Sequence, residues 1–558
     1  MTVRVREGHR AAPRALPAAR WPRLPDALAL AVLTAGVAYR LGLLLHDTPP
    51  TNSDEATMGL AALHIAQGRE FPIWFYGQAY MGALEAYLAA PLVALAGPST
   101  LALRLPTLAL YAAFALLAWR LSVRLTGDRW YALLVVGVLA FGSDRIVKNQ
   151  LIAGGGYPEM NAAGMALAVL AYDLAAGRPG RRLPRWVAWG FLAGLMVWVD
   201  PLALPYVAAG GAVLLAFRWR ERRGLLLLGL GALAGAAPLL LDSLATGRGP
   251  LSAVLAAGGA GQPAGWGERL HGALVLGPAL GMGFCSPGRC AGWQLWWSAA
   301  LPLLLLAAAV AAWHRLRGPG DRGQVPVGAN GTWPGSGDDA NVTRVRAALA
   351  LALVAAAALT LAVYALSSSA GRTPVESARY LSCLLISVPV LLWPLWAATR
   401  RRTADGARAG RPQLPGLPLR AAPRRAVAVA VLAATLGTAA VATAGAVAAA
   451  PAHRAEAARH ADLVAALREL GVRHVYGGYW TCNRLTFASA EDVVCAVVDD
   501  DLGPGHDRYP PYRRAVDASP APAWVAPEGS PLAARLDAHP GPLTPHTVPG
   551  WRLYLPPP

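Results

Sequence analysis

Thr51-Asn-Ser-Asp54-Glu55-Ala-Thr-Met58 sets two adjacent carboxylates just beyond the first long apolar run of the chain, residues 27–45. About 20 helical residues, rising about 1.5 Å each, cross a hydrocarbon core of about 30 Å, so that run reads as a transmembrane helix. Acids at a lipid-water boundary are rare enough to call for a use. Working outward from this boundary, apolar runs of similar length recur as far as residue 450. The expected fold class is therefore an all-α polytopic membrane protein of about eleven transmembrane helices, with amphipathic helices in the first external loop and a small C-terminal extracytoplasmic α/β domain.

Composition excludes a string of soluble domains: of 558 residues, 55% are hydrophobic and 15% charged, and the mean hydropathy is +0.38. A net charge of +18 would point to nucleic acid in a soluble protein. Here the arginines fall in short runs between apolar segments, at 120–129, 178–185 and 218–223, which is the positive-inside pattern and leaves no role for nucleic acid. The basic N-terminus, 1–26, is then cytoplasmic, and an odd number of spans puts the C-terminus outside. No convincing small-residue cleavage site follows the Arg-rich start, so the first run is expected to be retained. Within it, Arg40 is expected either to snorkel to the headgroups or to face a lipid phosphate.

The expected divisions are a transmembrane domain, 27–450, with a first external loop at 46–98 and cytoplasmic linkers at 315–346 and 399–425, and an extracytoplasmic domain, 451–558. In the first loop Met58, Ala62 and Ile65 share a helical face, and Trp74-Phe75-Tyr76 suits headgroup depth, so the loop is expected to lie on the membrane. The 315–346 linker has no helical period, and its sequons at Asn330 and Asn341 read as chance in a cytoplasmic loop. Asp200-Pro201 reads as a tight external turn. After 450 the pattern gives a helix at 457–470 ended by Gly471, and short strands at 472–480, 485–489, 492–498, 523–525 and 551–555. Of five cysteines, Cys285 and Cys290 flank a tight turn, and Cys482 and Cys495 lie in the exported segment. Two bridges with Cys383 as a buried thiol is one reading; five reduced thiols is the other.

Asp54 and Glu55 have a plain structural reading, as a helix start where acids gain about 0.3–1 kcal/mol each from the helix dipole. Against it, further acids recur at the same boundary in Glu85 and in Gly154-Gly-Gly-Tyr157-Pro158-Glu159, beside the cations Arg145, Lys148, Arg372 and Arg379. Lys148 is the only lysine in the chain, a compositional bias that gives it no special weight.

Asn52-Ser-Asp54-Glu55-Ala, followed by Phe75-Tyr76-Gly77-Gln78-Ala-Tyr80-Met-Gly-Ala-Leu-Glu85-Ala-Tyr87 and by Gly155-Gly156-Tyr157-Pro158-Glu159, resembles the membrane glycosyltransferases of the C-type superfamily. The similarity is to the group of protein O-mannosyltransferases, aminoarabinose transferases and rhizobial lipopolysaccharide glycosyltransferases. It runs through about residues 25–400, with later echoes in Arg379-Tyr380-Leu and in Tyr479-Trp480-Thr-Cys-Asn-Arg484-Leu-Thr-Phe487. The resemblance implies an inverting transferase in the bacterial plasma membrane that takes a sugar from a polyprenyl phosphate to a glycan, cell-wall or protein acceptor outside. By position it makes Asp54 the general base and Glu55 its neighbour, and it gives Glu159, Glu85, Gln78 and Tyr80 to the acceptor or to a second acid. It assigns the lipid phosphate to Arg379, Tyr380, Lys148 and Arg372. It requires no cofactor and leaves open a divalent metal ion between Asp54 and Glu159. A reading from another class is a transporter or flippase for lipid-linked sugars, which calls for internal repeats and midplane charges that the sequence lacks.

Overall fold

The computed structural model describes residues 23–249, 252, 263–317, 336–406, 421–538 and 541–557. The basic N-terminus up to residue 22, Asn330 and the middles of both expected linkers lie outside the described residues. The first ten α-helices are α1 (Leu24–Leu44), α2 (Ser53–Ala66), α3 (Leu84–Ala96), α4 (Thr100–Thr126), α5 (Arg129–Ala140), α6 (Asp144–Leu151), α7 (Tyr157–Ala175), α8 (Arg182–Val199), α9 (Leu204–Arg218) and α10 (Arg222–Gly235). Among the described residues seven helices are long and apolar enough to cross a membrane: α1, α4, Pro201–Arg218, Gly292–Arg317, Ala340–Leu366, Pro374–Arg400 and Pro423–Glu469. Two bent pairs, α5 with α6 at 93° and α10 with Ala237–Thr246 at 60°, raise the number to nine. The expected eleven are not reached. Where the remaining two were placed the chain is helical, as α7 and α8, but each carries two charged residues, Glu159 and Asp173 in one and Arg182 and Arg185 in the other.

Helix α8 nevertheless packs tightly into the assembly. Gly190 and Gly194 on α8 face Gly231 and Gly235 on α10, the same spacing of four on both. A Cβ added at Gly194 would meet the Ala232 carbonyl oxygen at 2.0 Å, and one at Gly235 the Phe191 oxygen at 2.1 Å. Lipid supplies no hydrophobic drive between helices, so such backbone-to-backbone contact through small residues holds the pair.

Helix α2 does not lie on the membrane with one face down, as its periodicity had suggested. Met58 and Ala62 are buried, but so are Leu60 and Ala61 on its other side. Small residues all round let it sit between α3 and the helix Tyr479–Ala488 of the C-terminal domain, with the Phe487 ring against Gly59. Arg40 likewise neither snorkels nor reaches a headgroup. It is fully buried, donates to Gln150 Oε1 at 2.6 Å and to the Ala140 carbonyl at 2.9 Å, and lies 3.6 Å from the Tyr111 ring. The cation finds carbonyls and a π-face inside the bundle instead of water at its edge.

The first loop also forms a hairpin, β1 (Trp74–Phe75) and β2 (Gln78–Gly82). The terminal helix Ala421–Glu469 joins the last apolar span to the expected 457–470 helix without a break, across Pro451, and Gly471, at φ +68°, ends it. Beyond lie β3 (His474–Gly477), β4 (Val494–Val497), β5 (Ala523–Pro527), β6 (Thr544–Val548) and β7 (Trp551–Leu555), in the order β4-β3-β5-β7-β6. β3 runs parallel to β4 and β5, and β7 antiparallel to β5 and β6. Residues 485–489 are no strand: they belong mostly to Tyr479–Ala488, whose buried Cys482, Leu485 and Thr486 recur at helical spacing. β6 was not anticipated. Helix also replaces coil at both edges of the 315–346 linker, up to Arg317 and again from Ser336. Cys285–Cys290 and Cys482–Cys495 are joined as disulfides, and Cys383 is a buried thiol.

Replacing Gly194 by Ile should separate α8 from α10. We expect a lower thermal unfolding midpoint and poorer recovery of monodisperse protein in detergent than for Gly229→Ile, whose Cβ meets nothing within 4 Å.

Candidate functional site

The start of α2 is capped by Asn52, whose side chain accepts from the Glu55 N–H at 2.9 Å. Neither acid is spent on capping, and the two point to different partners. Asp54 Oδ1 accepts from Tyr479 Oη at 2.5 Å and from Arg508 Nη2 at 2.8 Å, while Arg508 Nε donates to Tyr479 Oη at 2.6 Å. Both partners come from the C-terminal domain, where Ser53 Oγ also donates to the Tyr479 carbonyl. Burial first, and then the Asp54 charge, push the Tyr479 phenol up, so it stays a donor. The Asp54 side chain keeps 21% of its surface exposed. It is therefore held yet reachable.

Arg379 lies within electrostatic reach of this carboxylate, and two further cations gather around Arg379. Arg379 interacts electrostatically with Asp54 and, more strongly, with Tyr157 and Tyr380, and its guanidinium lies 5.6 Å from the Tyr380 ring. Arg145 and Lys148, both on α6, sense Arg379 and each other. Arg145 Nη2 donates to the Val375 carbonyl at 2.6 Å, but the buried Nε atoms of Arg145 and Arg379 have no hydrogen-bond partner. Among the described residues none of the three is ion-paired to a carboxylate. Like charges gathered at low dielectric repel unless an anion joins them. Tyr80, on β2, senses Tyr380, Arg508, Arg379 and Asp200, so the hairpin closes one side of the same chamber. Gln78, two residues before it on the same strand face, is half-buried. Arg372 lies exposed at the end of the short helix Ser369–Arg372.

Glu55 does not share the partners of Asp54, although Lys148 senses its charge. Its two oxygens are clamped by Arg104 at 2.7 and 2.6 Å, and both side chains are fully buried. That engagement suits a structural ion pair closed off from an acceptor. Glu85 and Glu159 are buried within electrostatic reach of each other and of the Gly155 and Gly156 backbone, and none of their four carboxyl oxygens has a hydrogen-bond partner. Asp200 caps the turn at Pro201, accepting from the Leu202 N–H at 2.8 Å. A metal between Asp54 and Glu159 does not fit: Asp54 is already bound by Arg508 and Tyr479, and among the described residues no cluster of three or more His, Cys, Asp or Glu side chains has metal-binding geometry.

Arg508 and Tyr479 were the residues sequence reasoning did not place in the site. Tyr479 stood in a quoted segment, and Asp507-Arg508-Tyr509-Pro-Pro-Tyr512 packs an arginine and two tyrosines into a turn, a density that could have drawn notice. The same turn seals the domain onto the first loop. Tyr509 and Tyr76 both donate to Glu70, the latter at 2.9 Å, and Glu491 receives Tyr512 at 2.8 Å, His64 at 3.0 Å and Arg69. Burial raises the Glu491 carboxyl, but the bonds from His64, Arg69 and Tyr512 outweigh it and hold it at about 2.

No protein-family model matches this sequence, and no curated protein matches it either. By shape the chain is similar to ArnT from Cupriavidus metallidurans bound to undecaprenyl phosphate, at a TM-score of 0.52 and 15% identity over 95% of this chain and 97% of that one. It is similar to the same protein in the apo state at a TM-score of 0.53 and 14% identity, with the same coverage. The Archaeoglobus fulgidus oligosaccharyltransferase in the apo form is more distant, at a TM-score of 0.48 and 13% identity over 89% and 69%. The likeness to ArnT is one of fold. The chain is a multi-pass membrane protein that shares its fold with ArnT.

Because Glu491 is held below its ordinary range near 4.5, the docking of the C-terminal domain is expected to be intact above about pH 4.5 and to weaken as pH falls toward about 2. Thermal unfolding midpoints measured from pH 6 down to about pH 3 should fall in the wild type and fall less steeply in Glu491→Gln.

Proposed function

We propose that the chain is an inverting glycosyltransferase that moves a sugar from a polyprenyl-phosphate donor to an acceptor hydroxyl on the extracytoplasmic side of the bacterial plasma membrane, with its N-terminus in the cytoplasm. The observation that carries this reading is a reachable carboxylate, Asp54, in electrostatic reach of Arg379, which is gathered with Arg145 and Lys148 without a carboxylate ion pair among the described residues. The shared fold with ArnT, whose structure holds undecaprenyl phosphate, supports the donor class.

In this reading the acceptor O–H displaces Tyr479 or Arg508 from Asp54 and hands its proton to the carboxylate as the oxygen attacks the anomeric carbon. The bond from that carbon to the phosphate oxygen breaks on the opposite face, and its electrons leave with the phosphate. A phosphodiester thus becomes a monoester with one more negative charge, which Arg379, Lys148 and Arg145 are placed to take up. Because those groups are fixed before reaction, the charge develops into a field already aligned with it. Arg508 and Tyr479 orient the Asp54 carboxylate, and Tyr380 and Tyr157 hold the Arg379 guanidinium in place. Glu85 and Glu159 lie buried beside the glycine turn.

Asp54→Asn should lower kcat by at least about 100-fold, the usual scale for loss of a general base, with folding unchanged. Arg379→Gln should weaken use of the lipid donor. Glu55→Gln should instead lower the unfolding midpoint, since it leaves Arg104 buried and unpaired at about 3–5 kcal/mol. The assay is sugar transfer by purified protein in detergent, where no second compartment exists and transport cannot register. Full transfer by Asp54→Asn removes that residue as the base.

A further inference from the structure

A second hollow, of about 400 Å3, lies apart from the chamber. That is the size of a small-ligand site. Its walls come from five segments that converge where the chain leaves the membrane: the turn after α1, the start of α2, the start of α4, the stretch of the terminal helix after Pro451, and the helix Tyr479–Ala488. Thr51 and Ala56 line it, while Asp54 between them turns to Arg508, so hollow and chamber occupy different faces of the first turn of α2.

Two independent features give the hollow a ligand chemistry. The first is a set of nitrogen atoms without partners. His460 is 7% exposed, and its Nε2 makes no hydrogen bond, as is true of His453 Nδ1 and Arg484 Nε. Unsatisfied groups of this kind destabilise a fold by about 1–3 kcal/mol each unless something fills the space. The second is electrostatic. The 27-residue helix α4 opens on the hollow at Ser99 and Thr100, presenting the positive end of its dipole. Arg104, Arg468 and Arg484 also line the wall, each paired with a carboxylate, Glu55, Asp492 and Glu456 respectively, so the donors left open are the unpartnered nitrogens and the helix end. The acids that line the hollow are Asp47 and Glu456.

We propose that this hollow is a second anion site, which takes a phosphate group presented at the outer membrane surface and is separate from the chamber around Asp54. The depth fits that ligand: α1 ends and α4 begins beside it, so a headgroup or a free phosphate enters at the level where lipid gives way to water. His460, His453 and the Nε of Arg484 supply donors, and the apolar wall of Ala461, Val464 and Phe487 receives the glycerol or carbon skeleton attached to the phosphate.

The test is thermal unfolding of the purified full-length protein titrated with inorganic phosphate and, separately, with dihexanoyl phosphatidylglycerol, using dihexanoyl phosphatidylcholine as the control for detergency. Arg379→Gln removes the binding contribution of the chamber, and it should still be stabilised by one or both anionic probes. In the Arg379→Gln background, Ala461→Trp fills the hollow from an exposed position without deleting a charge; it should weaken the apparent affinity at least tenfold, and Arg484→Gln should do the same. Stabilisation by inorganic phosphate assigns the site to the phosphate group itself, and stabilisation by the anionic lipid alone assigns it to a headgroup; both support the proposal. Absence of stabilisation by either anionic probe, equal stabilisation by the phosphatidylcholine control, or unchanged affinity in Ala461→Trp overturns it.

Discussion

Arg508 and Asp54 lie 454 positions apart in the chain and meet at 2.8 Å, and much of the architecture serves to make that meeting occur. The carboxylate is delivered by the first turn of a helix that would not be stable alone in water. The guanidinium is delivered by a domain that reaches the membrane only through one long terminal helix. The pair is 7% exposed on the arginine side and 21% on the aspartate side, so the charge of Asp54 is neutralised at the bottom of an opening rather than in a sealed core. Its partner belongs to an element held against the first loop by polar contacts and by the Phe487 ring packed on Gly59.

The other charges show what the same side chains do when no opening exists. Glu55 is next to Asp54 in sequence but is enclosed with Arg104, where two parallel hydrogen bonds offset the loss of water. Arg40 is enclosed with carbonyls and a tyrosine face. Glu85 and Glu159 are enclosed without a cation or a hydrogen-bond partner for their carboxyl oxygens. Arg145, Lys148 and Arg379 differ from Arg104 in that, among the described residues, no carboxylate is ion-paired to them; a carbonyl serves Arg145 and Tyr157 serves Arg379. An arrangement that resists its own electrostatics is informative about what occupies it.

The sequence announces what is local. The apolar run of α1, the stop at Gly471 and the strands around 523–525 and 551–555 follow from composition and period within a few residues, and the acids at 54 and 55 could be marked as unusual. It does not announce what depends on distant surfaces. The periodicity of α2 is the same whether lipid or another domain covers it, and only the position of Phe487 decides which. Leu485 and Phe487 alternate like a strand, yet Cys482 and Thr486 complete a helical stripe that buries onto β3 and β4. The division of labour between Asp54 and Glu55 is likewise invisible in one dimension, since adjacent residues on a helix point about 100° apart and each meets whatever that direction holds.

The distribution of the site over two kinds of element has a mechanical consequence. The cations sit on α6 and on the span Pro374–Arg400, inside the helical bundle, where packing fixes them and where charge on a departing phosphate is best met by groups that need not reorganise. The partners of Asp54 sit in a domain whose contact with the first loop joins hydrogen bonds from Tyr76, Tyr509 and Tyr512 to an apolar cluster of Phe487 and Tyr512 with Met58, Leu60 and Leu63. In the proposed mechanism the fixed cations take up the charge of the leaving phosphate, while the incoming hydroxyl exchanges with Tyr479 or Arg508 at Asp54.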